Sequence, residues 1–260
     1  MDDFTKLSND LQVLVGSTVP KPSGTLAGHA AGLPFEKLVH ERLVSTFAGR
    51  ALRHFEFLND VLSRYENDSV AKRIEAFGPK SLQGLLCRGK TQMAGWTSAT
   101  PFEEKQNDTA ESIITSDLIF EPTSSHLLLV DVKTYNAAKH GQPPNIISAG
   151  KLSEALASAL EEGEVRFDIV YAGVSWTVEG QTLRGNEISV VSLFKMDPKL
   201  YINWAAAEQV QFHPHLAEQD YSGSREQWAK EFLEHFVDSL ERRIGKQVSR
   251  LERFRSIIEN

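Results

Sequence analysis

The chain has 260 residues, 41% of them hydrophobic, and a formal net charge of −7, which allows one α/β domain with an ample core, read here as a single domain over 1–260. No apolar run reaches membrane-spanning length, the acidic start Met1-Asp2-Asp3 is unlike a secretory signal, and the single cysteine, Cys87, excludes an internal disulfide and fits a reducing cytoplasm. The negative balance argues against a protein that coats nucleic acid indiscriminately, but a positive cleft under an acidic exterior still admits a sequence-specific one.

Residues 4–15 carry Phe4, Leu7, Leu11, Leu14 and Val15 at helical spacing. Residues 17–33 hold Pro20, Pro22, Gly24, Gly28 and Gly32 and predict a loop. No Gly-Lys-Ser/Thr follows these glycines, so they do not form a phosphate-binding loop. Pro34 suits the first turn of a helix running to about Phe47, with Glu36 placed where the helix dipole favours a carboxylate. Residues 51–65 predict another helix and 79–89 a shorter one, in which Cys87 lies among leucines as a buried thiol. Trp96 falls in an irregular stretch over 90–106, and residues 110–114 precede or extend a strand.

The informative stretch is 116–145. Leu118, Ile119 and Phe120 form a short apolar run, Pro122 to Ser125 supply turn chemistry, and Leu127 to Val130 read as a strand buried on both faces. Asp131, Val132 and Lys133 follow directly, and strand alternation puts Asp131 and Lys133 on one face. If the two runs pair as a hairpin, Asp117 comes to the open end beside Asp131. Two such carboxylates repel unless a cation lies between them, and hard oxygen ligands suit Mg²⁺. The nearby lysine can orient or deprotonate a water. The plainer reading is a surface ion pair on an edge strand, which the apolar run before Asp131 opposes.

Residues 134–144 predict a polar loop stiffened by Pro143-Pro144. Gln142 and Asn145 carry paired donors and acceptors suited to base edges; alternatively Asn145 caps a helix over 146–160. Residues 164–178 and 187–195 predict strands, with a turn over 182–186. His213-Pro214-His215 has no Cys/His partners for zinc and reads as a surface turn. Ser224 and Gln227 open a long helix whose apolar stripe is Trp228, Phe232, Phe236, Leu240 and Ile244. Its basic residues, Arg242, Arg243, Lys246, Arg250, Arg253 and Arg255, form either a solvated face or a phosphate-contacting arm.

The pattern Asp…Asp-x-Lys resembles the PD-(D/E)xK nuclease superfamily. Longer blocks resemble one family within it, the HincII-type restriction endonucleases: Ser23-Gly24-Thr25-Leu26, Gly28-His29-Ala30-Ala31-Gly32, Pro34-Phe35-Glu36-Lys37-Leu38-Val39, Gln106-Asn107-Asp108-Thr109-Ala110, Gln142-Pro143-Pro144-Asn145-Ile146 and Tyr201-Ile202-Asn203-Trp204. The resemblance implies a mixed central sheet flanked by helices and Mg²⁺-dependent hydrolysis of both strands of duplex DNA. It implies a homodimer on the degenerate palindrome GTYRAC, cut centrally to blunt ends, and a methyltransferase partner that protects the same site. The alternatives are a repair nuclease of the same fold with little sequence specificity, and a DNA-binding relative that has lost catalysis. The implied roles are metal binding by Asp117, Asp131 and the Val132 carbonyl, and water positioning by Lys133. Gln142 would wedge into the base stack, Asn145 and Asn203 would read bases, Lys21, Ser23 and Thr25 would meet phosphate, and Glu36 would assist the metal cluster. In that family the first catalytic acid follows Asn-Asp-Thr-Ala directly. Here that residue is Glu111, with Asp117 six positions on. The fourteen-residue separation of Asp117 from Asp131 suits a tight hairpin, so Asp117 is the expected acid and Glu111 stands second.

Overall fold

A computed structural model describes residues 2–23, 32–64, 82, 86, 111–121, 124–138 and 143–259. The predictions concerning Thr25, Cys87, Trp96 and Gln142 lie outside these residues, as does the helix over 79–89 apart from Leu82 and Leu86, which are helical.

The strands are β1 (Thr18–Pro20), β2 (Ala51–Arg53), β3 (Ser112–Thr115), β4 (Leu127–Asn136), β5 (Asn145–Ser148), β6 (Phe167–Glu179), β7 (Thr182–Ser192), β8 (Ile202–Asn203) and β9 (Gln209–Gln211). Six form a mixed sheet in the order β1-β7-β6-β4-β3-β2, and three form a smaller sheet, β5-β9-β8. β4 and β6 are parallel, so a crossover must join them; it consists of β5 and helix α4 (Ala149–Glu162). The other pairings are antiparallel.

β4 is buried on both faces for its first six residues. Its even positions, Leu128, Val130 and Val132, pack with Leu7 and Leu11 of α1 (Asp3–Leu11) and with Phe35, Val39 and Leu43 of α2 (Leu33–Thr46). Its odd positions Leu127 and Leu129 pack with Leu152 and Leu156 of α4 and with Trp228 and Phe232 of α5 (Arg225–Ile258). Asp131 and Lys133 continue the odd series, so they leave the core on the α4 side as the strand reaches its exposed end.

Several predicted elements change type because tertiary pairing overrides local pattern. Residues 51–53 are a strand laid on β3, and helix α3 begins only at His54–Ser63. Residues 18–20 form an edge strand on β7 rather than loop, with Pro20 at the edge where a missing N–H is tolerated. Ile146 and Ile147, both β-branched, belong to β5, and the cap of α4 is Ser148, whose Oγ accepts from Lys151 N, not Asn145. The β6–β7 turn falls at Gly180, where φ is +64°, so β7 already begins at Thr182. Ser224 does cap α5, its Oγ accepting from Gln227 N at 3.1 Å, and the helix continues through Gly245. Among the described residues no helix is long and apolar enough to cross a membrane.

Candidate active site

The β3–β4 register decides which acid meets Asp131. Ser112 pairs with Val130 and Thr115 with Leu127, so one step further the hairpin sets Glu111 opposite Asp131. The predicted register is therefore displaced. Leu118 and Ile119 are not in the strand; they are 73% and 63% exposed in the connection, and the strand is the fully buried Ser112–Thr115. Asp117 consequently lies at the closed end. Its Oδ2 accepts from Ser125 Oγ at 2.7 Å and from Ser116 Oγ at 2.8 Å, and these two bonds, in that order, hold its pKa below the usual carboxylate range. Asp117 stabilises the turn and is not gathered with Asp131.

At the open end Glu111 Oε2 accepts from the Val132 N–H at 2.7 Å, extending the ladder where the β3 backbone stops. The N–H and C=O of one strand residue face the same neighbour, so the Val132 carbonyl is directed to the Glu111 side as well. Asp131 is buried, and Lys133 Nζ stands 2.5 Å from its Oδ2. Burial raises the Glu111 pKa well above its ordinary value, and the charge of Asp131 and a hydrogen bond with it raise it further, against the opposing pull of Lys133. Glu111 thus keeps its proton to higher pH than a free glutamate does in the metal-free protein. Burial alone would lower the Lys133 pKa, but Asp131, Glu111 and Glu36 together raise it, so the lysine remains cationic.

Glu36, in the first turn of α2, reaches this cluster electrostatically, acting on both Glu111 and Lys133. The approach of α2 to β4 is close: a Cβ added at Gly32 would lie 2.3 Å from Thr134 Oγ1 and 3.2 Å from Glu36 Oε1. Glycine is therefore required at the point where Glu36 enters. Tyr171, which sequence reading did not single out, pairs with Asp131 across β4 and β6 and is fully buried. Burial, followed by the charges of Asp131 and Glu111, pushes its phenol well up, so it stays neutral beside the acids.

The donor set fits a hard divalent cation. Glu111 and Asp131 are like charges held in contact, a conflict that a cation relieves. Among the described residues no three His, Cys, Asp or Glu side chains form a complete cage. That is compatible with Mg²⁺, which is commonly held by one or two carboxylates with the rest of its shell from phosphate and water.

The predicted base readers Asn145 and Asn203 lie in the small sheet and are joined by a residue that was not predicted, Gln211. Asn203 Oδ1 accepts from the backbone N–H groups of Ala205 and Ala206 at 3.0 and 3.2 Å, its Nδ2 donates to Gln211 Oε1 at 3.0 Å, and Gln211 Nε2 donates to Asn145 Oδ1 at 2.6 Å. Backbone N–H groups can only donate, so they fix the sense of the whole relay. Asn145 is exposed and ends the relay with its oxygen occupied, so its Nδ2 group is the end that donates.

Comparison with known proteins gives this arrangement its family. The model for the family "Restriction endonuclease HincII" matches residues 11–257. The chain belongs to this family. It is 42% identical over 246 residues to the type II restriction enzyme HindII of Haemophilus influenzae strain Rd, covering 93% of this chain and 92% of that one. It is 41% identical over 248 residues to the type II restriction enzyme HincII of Haemophilus influenzae, with the same coverage. Within the HincII family the block Tyr201-Ile202-Asn203-Trp204 now has a physical meaning: it carries β8 and the Asn203 turn that anchors the relay. The signal for Glu111 was also available, since it directly follows Asn-Asp-Thr-Ala.

Proposed function

We propose that this HincII-family restriction endonuclease is a PD-(D/E)xK enzyme, folded as one catalytic domain, that hydrolyses duplex DNA at GTYRAC to blunt ends with Mg²⁺. The observation that carries the reading is the convergence of Glu111, Asp131 and Lys133 where β4 leaves the core. Glu111 takes the first acidic position in place of Asp117, and Glu111, Asp131 and the Val132 carbonyl would hold the cation, with Glu36 behind them. When bound there, the cation would supply Lewis-acid polarisation of the phosphate and an acidified water.

The residues do the rest. Lys133 keeps its proton, so it orients the water for in-line attack on phosphorus and offsets the negative charge that builds as the bond to the leaving ester oxygen breaks. Asp131 fixes the lysine, and the Val132 N–H fixes Glu111. Asn145 presents donors, which matches the N7 and O6 acceptors of a guanine in the major groove at an outer pair. Gln142 acts at the central step, where a pyrimidine–purine junction opens most easily. A palindrome offers two equivalent half-sites, so the active form is a homodimer. Such an enzyme requires a methyltransferase that protects the same sequence in its host.

The test is to digest one DNA of known sequence with Mg²⁺ and map the ends. Discrete blunt fragments ending at the centre of GTYRAC are expected. A smear would instead identify a non-specific nuclease, and no metal-dependent cleavage would identify a binding protein.

A further inference from the structure

The motif His213-Pro214-His215 is not a free surface turn. It follows β9 directly and crosses the sheet face from which Asp131 and Lys133 emerge. Its contacts there fall on successive rows. The Phe212 ring stands edge-on to Tyr171 with centroids 5.4 Å apart, and Tyr171 is the β6 partner of Asp131. Pro214 is buried over Gly173, the β6 partner of Lys133, where an added Cβ would lie 2.8 Å from Pro214 Cβ. His215 stacks on Tyr135 with centroids 4.3 Å apart and planes at 24°. Tyr135 is two positions beyond Lys133 and therefore on the same face.

Both ends of this segment are tied. Gln211, at its start, is the middle member of the amide relay that ends at Asn145. Gln219, at its end, grips the backbone of β7: its Oε1 accepts from the Ser192 N–H at 3.0 Å and its Nε2 donates to the Val190 carbonyl at 3.2 Å. A segment fixed to β7 at one end cannot absorb a shift at Gln211 by sliding, so packed residues pass the shift to what lies beneath them. The contacts beneath act by shape and not by charge. His215 Nδ1 is buried and makes no hydrogen bond among the described residues, so the ring is held by its faces. Burial, and then His215, lower the His213 pKa, which leaves that ring uncharged at pH 8, the reverse of what a phosphate contact needs.

We propose that residues 211–219 form a strap through which the reading of an outer base pair sets the position of Lys133, with Phe212 and His215 as its positioning residues. The inference rests on the roles proposed above for Lys133 and Asn145. It adds a path by which a wrong outer pair slows the chemistry as well as weakening binding. A guanine that engages Asn145 fixes the relay and with it Gln211. Phe212, Pro214 and His215 are then held down on Tyr171, Gly173 and Tyr135, and β4 presents Lys133 in register with the scissile phosphate. At an altered outer pair the relay has no acceptor at its far end and the strap slackens. Little movement is needed, because a misplacement of about 1 Å in a reacting group can cost roughly 100-fold in rate.

The test is single-turnover cleavage with Mg²⁺ over a range of enzyme concentrations, on a GTYRAC duplex and on one altered at an outer pair. Each series gives a maximal rate and a half-saturating enzyme concentration. Wild type should separate the duplexes by both. His215→Ala should keep both half-saturating concentrations within roughly threefold, lose roughly 30- to 100-fold in maximal rate on GTYRAC, and bring the ratio of the two maximal rates close to one. His215→Phe keeps a flat ring over Tyr135 and leaves no buried nitrogen unpaired, so it should restore both rate and ratio. Gly173→Ala, whose methyl would displace Pro214, should behave as His215→Ala does and decides the matter if that variant fails to fold. A merely structural loss would slow both duplexes alike. An unchanged ratio of maximal rates, or half-saturation that weakens in step with the rate, overturns the strap and leaves the active-site reading standing. A wild type that cleaves the two duplexes equally refutes that reading, and the strap with it.

Discussion

Replacing Glu111 by Gln separates a ligand from a structural support, because the two roles predict opposite signs. The amide keeps the length of the side chain and an oxygen for the Val132 N–H, so the hairpin end is preserved. It removes a carboxyl whose charged form burial and the neighbouring Asp131 both disfavour, so the metal-free variant should melt higher than wild type at pH 8. Cleavage should move the other way. If loss of one anionic ligand costs about 3–5 kcal/mol of transition-state stabilisation, the single-turnover rate falls roughly 150- to 5,000-fold at 1.36 kcal/mol per decade. Exposed Asp117, whose side chain bonds to Ser116 and Ser125 of its own turn, is the control: Asp117→Ala should cleave within roughly twofold of wild type. The assay is plasmid cleavage with enzyme in excess and Mg²⁺ saturating, beside thermal melts without metal. Near-normal cleavage by Glu111→Gln together with an inactive Asp117→Ala would refute the reasoning.

Lys133→Ala should bind its DNA site in a gel-shift assay nearly as wild type does but cleave roughly 1,000-fold more slowly; comparable cleavage removes the lysine from the chemistry. Asp168 is buried with a pKa raised to about 6, burial outweighing Arg225 and Ser192. A carboxyl raised in the fold contributes stability that is full below its unfolded value near 3.8 and is lost as pH rises through 6, so relative to wild type Asp168→Asn should gain up to about 3 kcal/mol between pH 4 and 8. Denaturant titrations at the two pH values with no such divergence would count against it. Gln211→Ala frees Asn145 to turn, so the penalty wild type shows for 7-deazaguanine at an outer pair should shrink; a wild type indifferent to the analogue refutes the Asn145 contact, and an unchanged penalty in the variant refutes the relay. Gln142→Ala should reorder cleavage rates among duplexes varied only at the two central pairs, and an unchanged order leaves it an ordinary loop residue.

What the sequence made legible follows from the range of the forces involved. The apolar run before Asp131 announced β4, because burial on both faces leaves a continuous signature over four residues. Alternation then placed Asp131 and Lys133 together, as found. The cap of α5 was legible because Ser224 and Gln227 act within one turn. The register of β3 was not. Leu118-Ile119-Phe120 looks more strand-like than Ser112 to Thr115, yet only Phe120 of the three is buried, and it is held by Phe57 from α3 at a ring separation of 5.2 Å. Likewise β2 and β5 are strands because β3 and β9 offer them hydrogen bonds, and no local propensity reports that. The Asn203–Gln211–Asn145 relay joins residues 66 apart and had no local signal at all.

The same geometry accounts for a DNA enzyme that is acidic. Around Lys133 the chain gathers Glu111, Asp131 and Glu36, an excess of negative charge at the point where a phosphate must arrive. Without a cation the cluster repels DNA, and the −7 exterior adds to that repulsion. Affinity for arbitrary sequence, which comes from phosphate neutralisation, is therefore low, and holding a duplex depends on base contacts made elsewhere. Those contacts are tied to the chemistry by the chain itself. Only eleven residues separate Lys133 from Asn145, and the second residue enters a sheet whose amide relay has one sense only. On the proposed reading a purine acceptor in the right place would satisfy Asn145 and hold β5, and β5 leads back through the stiff Pro143-Pro144 segment to the end of β4. On that reading sequence recognition and the seating of the scissile phosphate would be mechanically one event, and the negative charge of the molecule would keep unselected DNA from reaching the lysine.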